Sequence, residues 1–271
     1  MWYIPLTLMA VALTLLGTGT SQGVPVIACQ CGVCLSTDIR DKRLRTSAIF
    51  EVSGPKYLGL SPRLVVDTGP DFRQQMLSNQ VQQLDAVLFT HEHKDHVAGL
   101  DDVRAYNFHQ QCDMEVFASP RVQEALQREF HYAFSGSAYP GIPRINLNDI
   151  PTQSFVAAGV EVTPLAVRHH KLPVWGFRIE DVAYITDANL IEPATWSLLE
   201  DLDVLVLNAL RRETHISHFN LDEALDVIDR VKPNRAFLTH ISHLMGSHAE
   251  VEGLLPPGVE LGVDGMKIMS P

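Results

Sequence analysis

The apolar run Leu84 to Phe89 leads directly into Thr90-His91-Glu92-His93-Lys94-Asp95-His96. A short apolar run before a polar turn is typical of a buried strand that ends at a functional site. Three imidazoles and a carboxylate within six positions can converge on divalent cations, because a tight turn points alternate side chains into one cavity. A polar surface loop would not explain so many ligand-type residues, so the stretch predicts a metal site.

Further ligand-type residues follow later strand-like runs. They are His169 or His170 after Glu161 to Arg168, Asp187 after Val182 to Thr186, and His240 after Ala236 to Thr239. Active sites of α/β proteins are built from loops beyond the carboxyl ends of strands. We therefore expect these side chains to meet the first motif at one edge of a sheet.

The order of elements predicts one α/β domain over residues 11–271, preceded by an extension over residues 1–10. Two helices are marked by their first residues, one at Ser119-Pro120 and one running from Asn220 to Val231. The segment Ser135 to Ile150 is rich in Gly, Pro and Asn and is predicted to be a loop that borders a pocket. The predicted strands are Val11 to Gly17, Ser47 to Val52, Arg63 to Val66, Ala86 to Thr90, Met114 to Ala118, Val160 to Val167, Val174 to Ile179, Val204 to Leu207 and Arg235 to Thr239.

The charge of the chain limits its partners. Its 271 residues carry a formal net charge of -11, which disfavours a stable nucleic-acid partner because a phosphate backbone requires a basic surface. The apolar residues 1–16 lack a basic n-region and are short for a membrane span. We therefore expect a cytoplasmic location, no membrane partner, and a small-molecule substrate.

A second cluster consists of cysteines. Cys29, Cys31 and Cys34 offer three thiolates within six residues, and His243 is the candidate for a fourth ligand. Such a set would complete a tetrahedral structural zinc site. A redox thiol pair or unligated core cysteines are the alternatives, and the redox interpretation lacks a thioredoxin-like context. Cys112 stands alone and is interpreted as a free thiol.

Together HEHKDH, the later histidine, the aspartate of ITDA and the histidines of THISH resemble the metallo-β-lactamase superfamily in this order. The resemblance implies an α/β four-layer αβ/βα sandwich with two metals at one edge. It implies that His91, His93 and His169 hold the first metal and that Asp95, His96 and His240 hold the second, with Asp187 bridging them. Asp67 matches the family aspartate that supports the ligand loop, although a turn aspartate before glycine is the competing interpretation.

The combination of GTGTSQGVP, CQCGVC and THISH resembles one branch of that superfamily, the cyclic-phosphate phosphodiesterases of the carbon-phosphorus lyase pathway. That branch implies one structural zinc, held by the three clustered cysteines and His243, and a catalytic pair of manganese or zinc ions. It implies hydrolysis of a small, linear or cyclic phosphodiester by a hydroxide that the two cations share. A homodimer is compatible with this interpretation.

A leaving alkoxide needs a proton, and the resemblance makes His218 the general acid, with Asp95 counted beside it among the catalytic residues. His215 is the alternative in the same loop. The exposed basic residues Arg211, Arg212 and Lys171 could orient phosphate, but such side chains are more often solvated. The competing activities are those of a tRNA-processing nuclease and of a thioesterase or lactam hydrolase with the same fold.

Overall fold

The computed structural model describes residues 10–57, 59–136 and 139–270. The described strands are β1 Ala10–Gly17, β2 Ser47–Ser53, β3 Arg63–Val66, β4 Ala86–Leu88, β5 Met114–Ala118, β6 Ile145–Asp149, β7 Phe155–Ala157, β8 Val160–His169, β9 Leu172–Ile179, β10 Val182–Ile185, β11 Leu190–Ile191, β12 Val204–Asn208, β13 Arg235–Thr239, β14 Val259–Leu261 and β15 Met266–Ser270. The described α-helices are α1 Gly32–Leu35, α2 Phe72–Ser78, α3 Lys94–Val97, α4 Arg104–Gln110, α5 Pro120–Glu129, α6 His131–Phe134, α7 Leu221–Val231 and α8 His248–Glu252. Short 3-10 helices cover Ile39–Asp41, Pro55–Tyr57, Leu100–Val103 and Pro193–Leu199.

These strands form two mixed sheets. The first has the order β15-β1-β2-β3-β4-β5-β6, antiparallel up to β3 and parallel from β3 to β6. The second has the order β11-β8-β9-β10-β12-β13-β14, with β7 paired to β8. In the second sheet β8, β10, β12 and β13 run in one direction, because β9 is antiparallel to both β8 and β10. Their carboxyl ends therefore lie at one edge.

Two sheets and two sets of helices stack in four layers, because side chains along each strand alternate between its two faces. In β12, Val204 and Val206 join a core between the two sheets, whereas Leu205 and Leu207 join a second core beneath α7 and α8. In β2, Phe50 faces the same central core and Ile49 faces a third core beneath α2, α4 and α5. Because successive side chains of a strand point to opposite faces, each sheet packs against the other sheet and against its own helices. This is the predicted αβ/βα sandwich, and the prediction is confirmed.

Most predicted elements agree with the structure to within two residues. Strand β4 ends at Leu88 rather than Thr90, while β8 extends to His169 and β9 begins at Leu172. Helix α5 begins at Pro120, and the Ser119 hydroxyl accepts a hydrogen bond from the amide of Val122. Helix α7 ends at Val231 and begins with the reciprocal side-chain bonds of a capping box between Asn220 and Glu223.

The predicted loop Ser135 to Ile150 is wrong in its last part, which forms β6. Ile145 and Leu147 pack against the third core, and the amides of Asn146 and Asn148 donate to the Glu115 carboxylate on β5. The strand is held by its parallel ladder to β5 and by these side-chain bonds, which a composition rich in asparagine does not reveal.

The predicted extension 1–10 also needs a correction, because Ala10 already belongs to β1. Residues 1–9 lie outside the described residues, so the rest of that prediction stays open. Among residues 10–57, 59–136 and 139–270, no helix is both long enough and apolar enough to cross a bilayer.

Candidate metal centres

The predicted ligands meet at the edge where strands of both sheets end. The loop after β4 carries His91 and His93, the following helix α3 carries Asp95 and His96, and β8 ends at His169. Asp187 follows β10 and His240 follows β13. Since β8, β10 and β13 share one direction, the ligands that the sequence separates widely become neighbours.

Three of the strand ends have an unusual backbone. Asp67, Asp187 and His240 have φ angles of 63°, 55° and 56°. Among residues with a side chain, Asp, Asn and His are several-fold enriched in this left-handed region. All three are buried. Each strand thus turns sharply at its end and aims a polar side chain into the centre, as is typical of functional sites.

The Asp67 carboxylate supports two of the histidines. Its Oδ2 lies 2.6 Å from Nδ1 of His96 and accepts a 2.8 Å bond from the Thr90 hydroxyl. The Thr90 oxygen in turn lies 2.9 Å from Nδ1 of His91. Both rings are therefore tied through Nδ1, which leaves Nε2 available to bind a metal. Asp67 lies where the family resemblance expects its supporting aspartate.

His169, rather than His170, lies beside the other rings. Its ring centroid is 5.1 Å from that of His93, and its Nδ1 lies 2.8 Å from the carbonyl oxygen of Ser217. His170 is an exposed turn residue with a φ of 56°. His169 thus belongs to the cluster of rings. Its Nδ1 atom is held by an oxygen atom, as are the Nδ1 atoms of His91 and His96.

Asp187 lies between two groups of potential ligands. Its Oδ2 is 3.7 Å from Nε2 of His91 and 3.3 Å from Nε2 of His96, and its Oδ1 is 2.9 Å from Nδ1 of His240. His91, His93 and Asp187 form one group that could hold a metal, and His96, Asp187 and His240 form another. One carboxylate is thus shared by both groups, as the resemblance implied.

Burial and the charges of neighbouring side chains determine the pKa values of these groups. Burial opposes ionisation of His96, yet Asp187, Asp95 and Asp67 surround it and raise its pKa well above the usual value. Burial also opposes the charge of Asp187, but His240 and His96 outweigh this effect and hold its pKa well below its usual range. Burial and the neighbouring His96 lower the pKa of His91, which favours a neutral ligand.

The residues present fit a divalent metal. Nε2 of His96 is buried and has no hydrogen-bond partner, although it lies 3.2 Å from Asp95 Oδ2. Nε2 of His91 lies 3.0 Å from Nδ1 of His93. A buried ring nitrogen without a hydrogen-bond partner, such as Nε2 of His96, is costly unless a cation satisfies it. Mixed imidazole and carboxylate donors suit zinc and manganese.

Two glycines allow the supporting loops to touch. A Cβ atom on Gly69 would lie 2.1 Å from the carbonyl oxygen of Asp95, and one on Gly99 would lie 2.2 Å from that of Gly69. No side chain fits at such distances, so both positions require glycine for close approach. These contacts fix α3, which carries Asp95, against the turn that follows Asp67.

The loop after β12 brings His218 to the same centre. Its Nε2 lies 3.4 Å from Asp187 Oδ2, and burial lowers the pKa of His218 to about 4. His218 also forms a third potential metal-holding group with His169 and Asp187. His215 lies beside it, with Nδ1 atoms 3.2 Å apart. The structure therefore permits His218 to act either as an acid or as a ligand.

The basic candidates near this loop have other contacts. Arg211 donates to the carbonyls of Glu213 and Thr214, and Arg212 donates to the carbonyl of Met245. These bonds stabilise the backbone of neighbouring loops. Lys171 is an exposed residue of the turn that follows His169. A phosphate-orienting role for these residues stays an untested alternative to solvated surface side chains.

The cysteine cluster forms a separate group. The Sγ atoms of Cys29 and Cys31 lie 3.4 Å and 3.3 Å from Nδ1 of His243, and Cys34 completes the set. Hydrogen bonds from the Cys34 amide and from His243 lower the pKa of Cys31 to about 6, while burial raises the pKa of Cys34 to about 11. Three thiols and one imidazole at these separations match a tetrahedral zinc site.

Two contributors to the centres were not anticipated. The Thr90 hydroxyl links Asp67 to His91, and the Thr20 hydroxyl lies 3.2 Å from Nε2 of His240. The position of Thr90 beside the histidine motif could have suggested its role. The sequence gives no comparable signal for Thr20, because its contact with His240 depends on how the fold places the residue after β13 beside the one after β1.

A family model described as the beta-lactamase superfamily domain matches residues 62–241. The chain therefore belongs to the beta-lactamase superfamily and has the metallo-β-lactamase fold. The resemblance inferred from the ligand motifs is confirmed at this level.

Three similar proteins illustrate the relationship. A diphosphatase from the PhnP family is 33% identical, with a TM-score of 0.87 over 97% of this chain and 98% of that one. The zinc-bound PqqB of Methylobacterium extorquens is 19% identical, with a TM-score of 0.75 over 95% of this chain and 99% of that one, and shows the fold alone. An octanoyltransferase of Porphyromonas gingivalis is 39% identical over 255 residues, which are 93% of this chain and 50% of that protein. The chain thus spans about half the length of this relative.

Proposed function

We propose that the chain is a dinuclear metal-dependent phosphodiesterase that acts on a small linear or cyclic phosphodiester. The observation that carries the proposal is the position of Asp187, with one carboxylate oxygen toward His240 and the other toward His91 and His96. A carboxylate shared in this way can bridge two cations. The first would be held by His91, His93 and His169, and the second by Asp95, His96 and His240.

When bound, such a pair of cations would lower the pKa of water and neutralise charge that develops on phosphorus oxygens. The chain itself supplies rigid positioning: Asp67, Thr90 and the Ser217 carbonyl hold the rings of His96, His91 and His169. His218 is the proposed proton donor to the leaving oxygen, because its Nε2 faces the shared carboxylate. The identity of the cations as manganese or zinc belongs to this proposal.

The diphosphatase among the similar structures supports phosphoryl rather than acyl chemistry. One relative is named an octanoyltransferase, and this chain matches half of its length. Acyl transfer therefore stays a candidate activity. Among the described residues, no thiol lies in the metal-holding groups that share Asp187: Cys29, Cys31 and Cys34 form their own group with His243, and Cys112 is exposed. A thiol-dependent acyl transfer is therefore disfavoured at this centre.

A tRNA-processing nuclease would use similar ligands, but the net charge of -11 opposes binding of a long polyanion. We accordingly propose a small-molecule substrate, no stable nucleic-acid partner and no membrane partner. A cytoplasmic location and a homodimer are consistent with this function and stay proposals.

The test is a substrate screen with protein loaded separately with manganese and zinc. The panel contains cyclic phosphates, linear phosphodiesters, a diphosphate diester, an octanoyl thioester and a lactam. We expect turnover of phosphodiesters, reduced by roughly 10³-fold in Asp187→Ala, which is near the upper end of the cost of losing one stabilising group.

The matched control is Asp113→Asn, which removes an exposed carboxylate that pairs with Arg144. It should retain full turnover. Faster hydrolysis of the thioester or lactam than of every phosphorus substrate would reject the phosphodiesterase proposal, and equal turnover by Asp187→Ala would reject the shared carboxylate.

A further inference from the structure

The side chain of Asn208, at the end of β12, pairs with the backbone of Ala188, the residue directly after Asp187. Oδ1 of Asn208 accepts a 2.8 Å bond from the Ala188 amide, and its Nδ2 donates a 2.9 Å bond to the Ala188 carbonyl. Both residues are fully buried. The two bonds fix the orientation of the side-chain amide, because turning it over would set donor against donor and acceptor against acceptor.

These bonds continue the sheet where its own ladder ends. Strand β10 runs parallel to β12 and pairs with it up to Ile185 and Leu207. Beyond that point Asp187 has a φ of 55°, so the chain leaves the strand. The Asn208 side chain carries the same donor and acceptor as a peptide and satisfies the backbone groups that follow. A left-handed backbone at a residue with a side chain persists only where its surroundings hold it.

The Ala188 carbonyl also holds the loop that carries His218. The amide of Phe219 donates to it at 2.7 Å, so one oxygen accepts from both Phe219 and Asn208. Loss of the Asn208 side chain would leave the Ala188 amide buried without this acceptor. Such a donor is costly, so we expect the turn to move until another acceptor satisfies it.

Asn189 ties the same turn to the strand end that carries His169. Its amide donates to the carbonyl of Arg168 at 2.8 Å, and its Oδ1 accepts from the amide of His170 at 2.7 Å. The residues on both sides of His169 therefore bond to Asn189. A shift of this turn would move Asp187 relative to His169, and both are predicted metal ligands.

We propose that Asn208 is a positioning residue that sets the place of the Asp187 carboxylate between the two groups of metal ligands. The inference rests on the proposed function only in requiring a pair of cations that share Asp187. Asn208 is itself no ligand and acts through the backbone of Ala188. Outer contacts of this kind hold ligands in the geometry that a metal centre requires.

A second buried asparagine provides a matched control. Asn107 on α4 donates to the carbonyls of Cys112 and Arg144, and its Oδ1 accepts from the amide of Arg144 at 2.9 Å. Cys112 and Arg144 come just before the parallel strands β5 and β6, at their amino ends, whereas the metal ligands follow carboxyl ends. Replacing Asn107 therefore removes the same kind of contact at the opposite edge of the fold.

The test compares Asn208→Leu with Asn107→Leu by calorimetric titration of the metal-free proteins with Mn²⁺. Leucine keeps the branched shape of asparagine but has neither its donor nor its acceptor. Asn208→Leu should weaken Mn²⁺ binding roughly tenfold, the lower end of the cost of losing an outer contact of a metal ligand. Asn107→Leu should bind Mn²⁺ like wild type, although both variants lose a buried amide and are less stable.

Electron paramagnetic resonance then reports whether two Mn²⁺ ions share a bridge. Wild type and Asn107→Leu should show the signal of a spin-coupled pair, whereas Asn208→Leu should show a larger share of uncoupled Mn²⁺. Asn208→Ser is the second variant if leucine prevents folding, because serine is too short to reach both groups of the Ala188 peptide and leaves room for water. It should show the same losses, and circular dichroism verifies that each variant is folded.

Mn²⁺ affinity and spin coupling in the Asn208 variants equal to those of Asn107→Leu would overturn the inference, and hydrolysis of phosphodiesters by the wild type would then leave the proposed function standing. A wild type that binds Mn²⁺ as a coupled pair but hydrolyses no phosphodiester would reject the proposed function alone, and the variants would still decide the role of Asn208. A wild type that binds no pair of cations would reject both.

Discussion

Oδ2 of Asp67 lies 2.6 Å from Nδ1 of His96, and both residues are fully buried. At this separation the imidazole and the carboxylate share a short hydrogen bond. The same oxygen accepts from Thr90, which contacts His91. Asp67 therefore orients one histidine from each of the two candidate metal groups without belonging to either group.

Asp67→Asn should weaken metal binding by roughly 10- to 100-fold, the usual cost of losing an outer partner of a metal-binding histidine. The amide nitrogen of the new asparagine is a hydrogen-bond donor. It would face another donor, either Nδ1–H of His96 or Thr90. Metal titration by calorimetry measures the change, and Asp113→Asn serves as the exposed control. Unchanged affinity for both metals would show that Asp67 only shapes the turn.

Cys31→Ser should remove one tightly held zinc from a total of about three metals per chain, because serine is a poor zinc ligand. The free energy of unfolding should fall by on the order of 3 kcal/mol, since zinc binding contributes to folding. Elemental analysis and denaturant titration test this, and Cys112→Ser, which alters an exposed thiol, is the control. A Cys31 variant that keeps its zinc would contradict the assignment.

His218→Ala should reduce hydrolysis of an alkyl or cyclic sugar phosphodiester by roughly 10²- to 10⁴-fold. A nitrophenyl diester should lose much less, because nitrophenolate departs without a proton. Metal content should be unchanged. Loss of a metal would instead identify His218 as a ligand in its group with His169 and Asp187, and equal damage to both substrates would indicate a role in binding.

Asp264 should give stability an unusual dependence on pH. Its Oδ1 accepts from the amide and hydroxyl of Thr18 and its Oδ2 from the amide of Leu44, yet burial raises its pKa to about 6 from 3.8. Between these pH values the folded protein keeps a proton that the unfolded chain releases. The free energy of unfolding should therefore fall as pH rises from about 4 to about 6.

The measurement compares wild type with Asp264→Asn, so that contributions common to both proteins cancel. Wild-type stability relative to the variant should be greater at pH 4 than at pH 7 by about 2 kcal/mol, because the full 1.36 kcal/mol per pKa unit develops only below the unfolded-state value of 3.8. Urea titrations at several pH values test it. A difference that is constant with pH, or that grows as pH rises, contradicts the role of Asp264.

The ligand positions could be predicted because each follows an apolar strand and carries a metal-binding side chain. The choice between His169 and His170 could not be made from residues alone. The choice depends on the residue at which strand β8 ends and the turn begins. His169 still pairs with Leu172, whereas His170 has a left-handed backbone. A shift of one residue moves a side chain to the opposite face.

The supporting contacts were harder to predict for a different reason. The partner of His169 is the carbonyl oxygen of Ser217, and every residue has a carbonyl. Only the path of the chain decides which one is used. Strand β6 was missed because its asparagines resemble a loop, whereas their amides bind Glu115 across the sheet.

Strand β1 lies between β2 and β15 in the first sheet. It can pair with β2 once residue 53 has been synthesised, but its other edge stays open until residues 266–270 emerge from the ribosome. An uncovered strand edge is a template for mispairing with another chain. Contacts of such long sequence separation also form slowly. One edge of β1 therefore stays exposed to aggregation throughout the synthesis of residues 54–265.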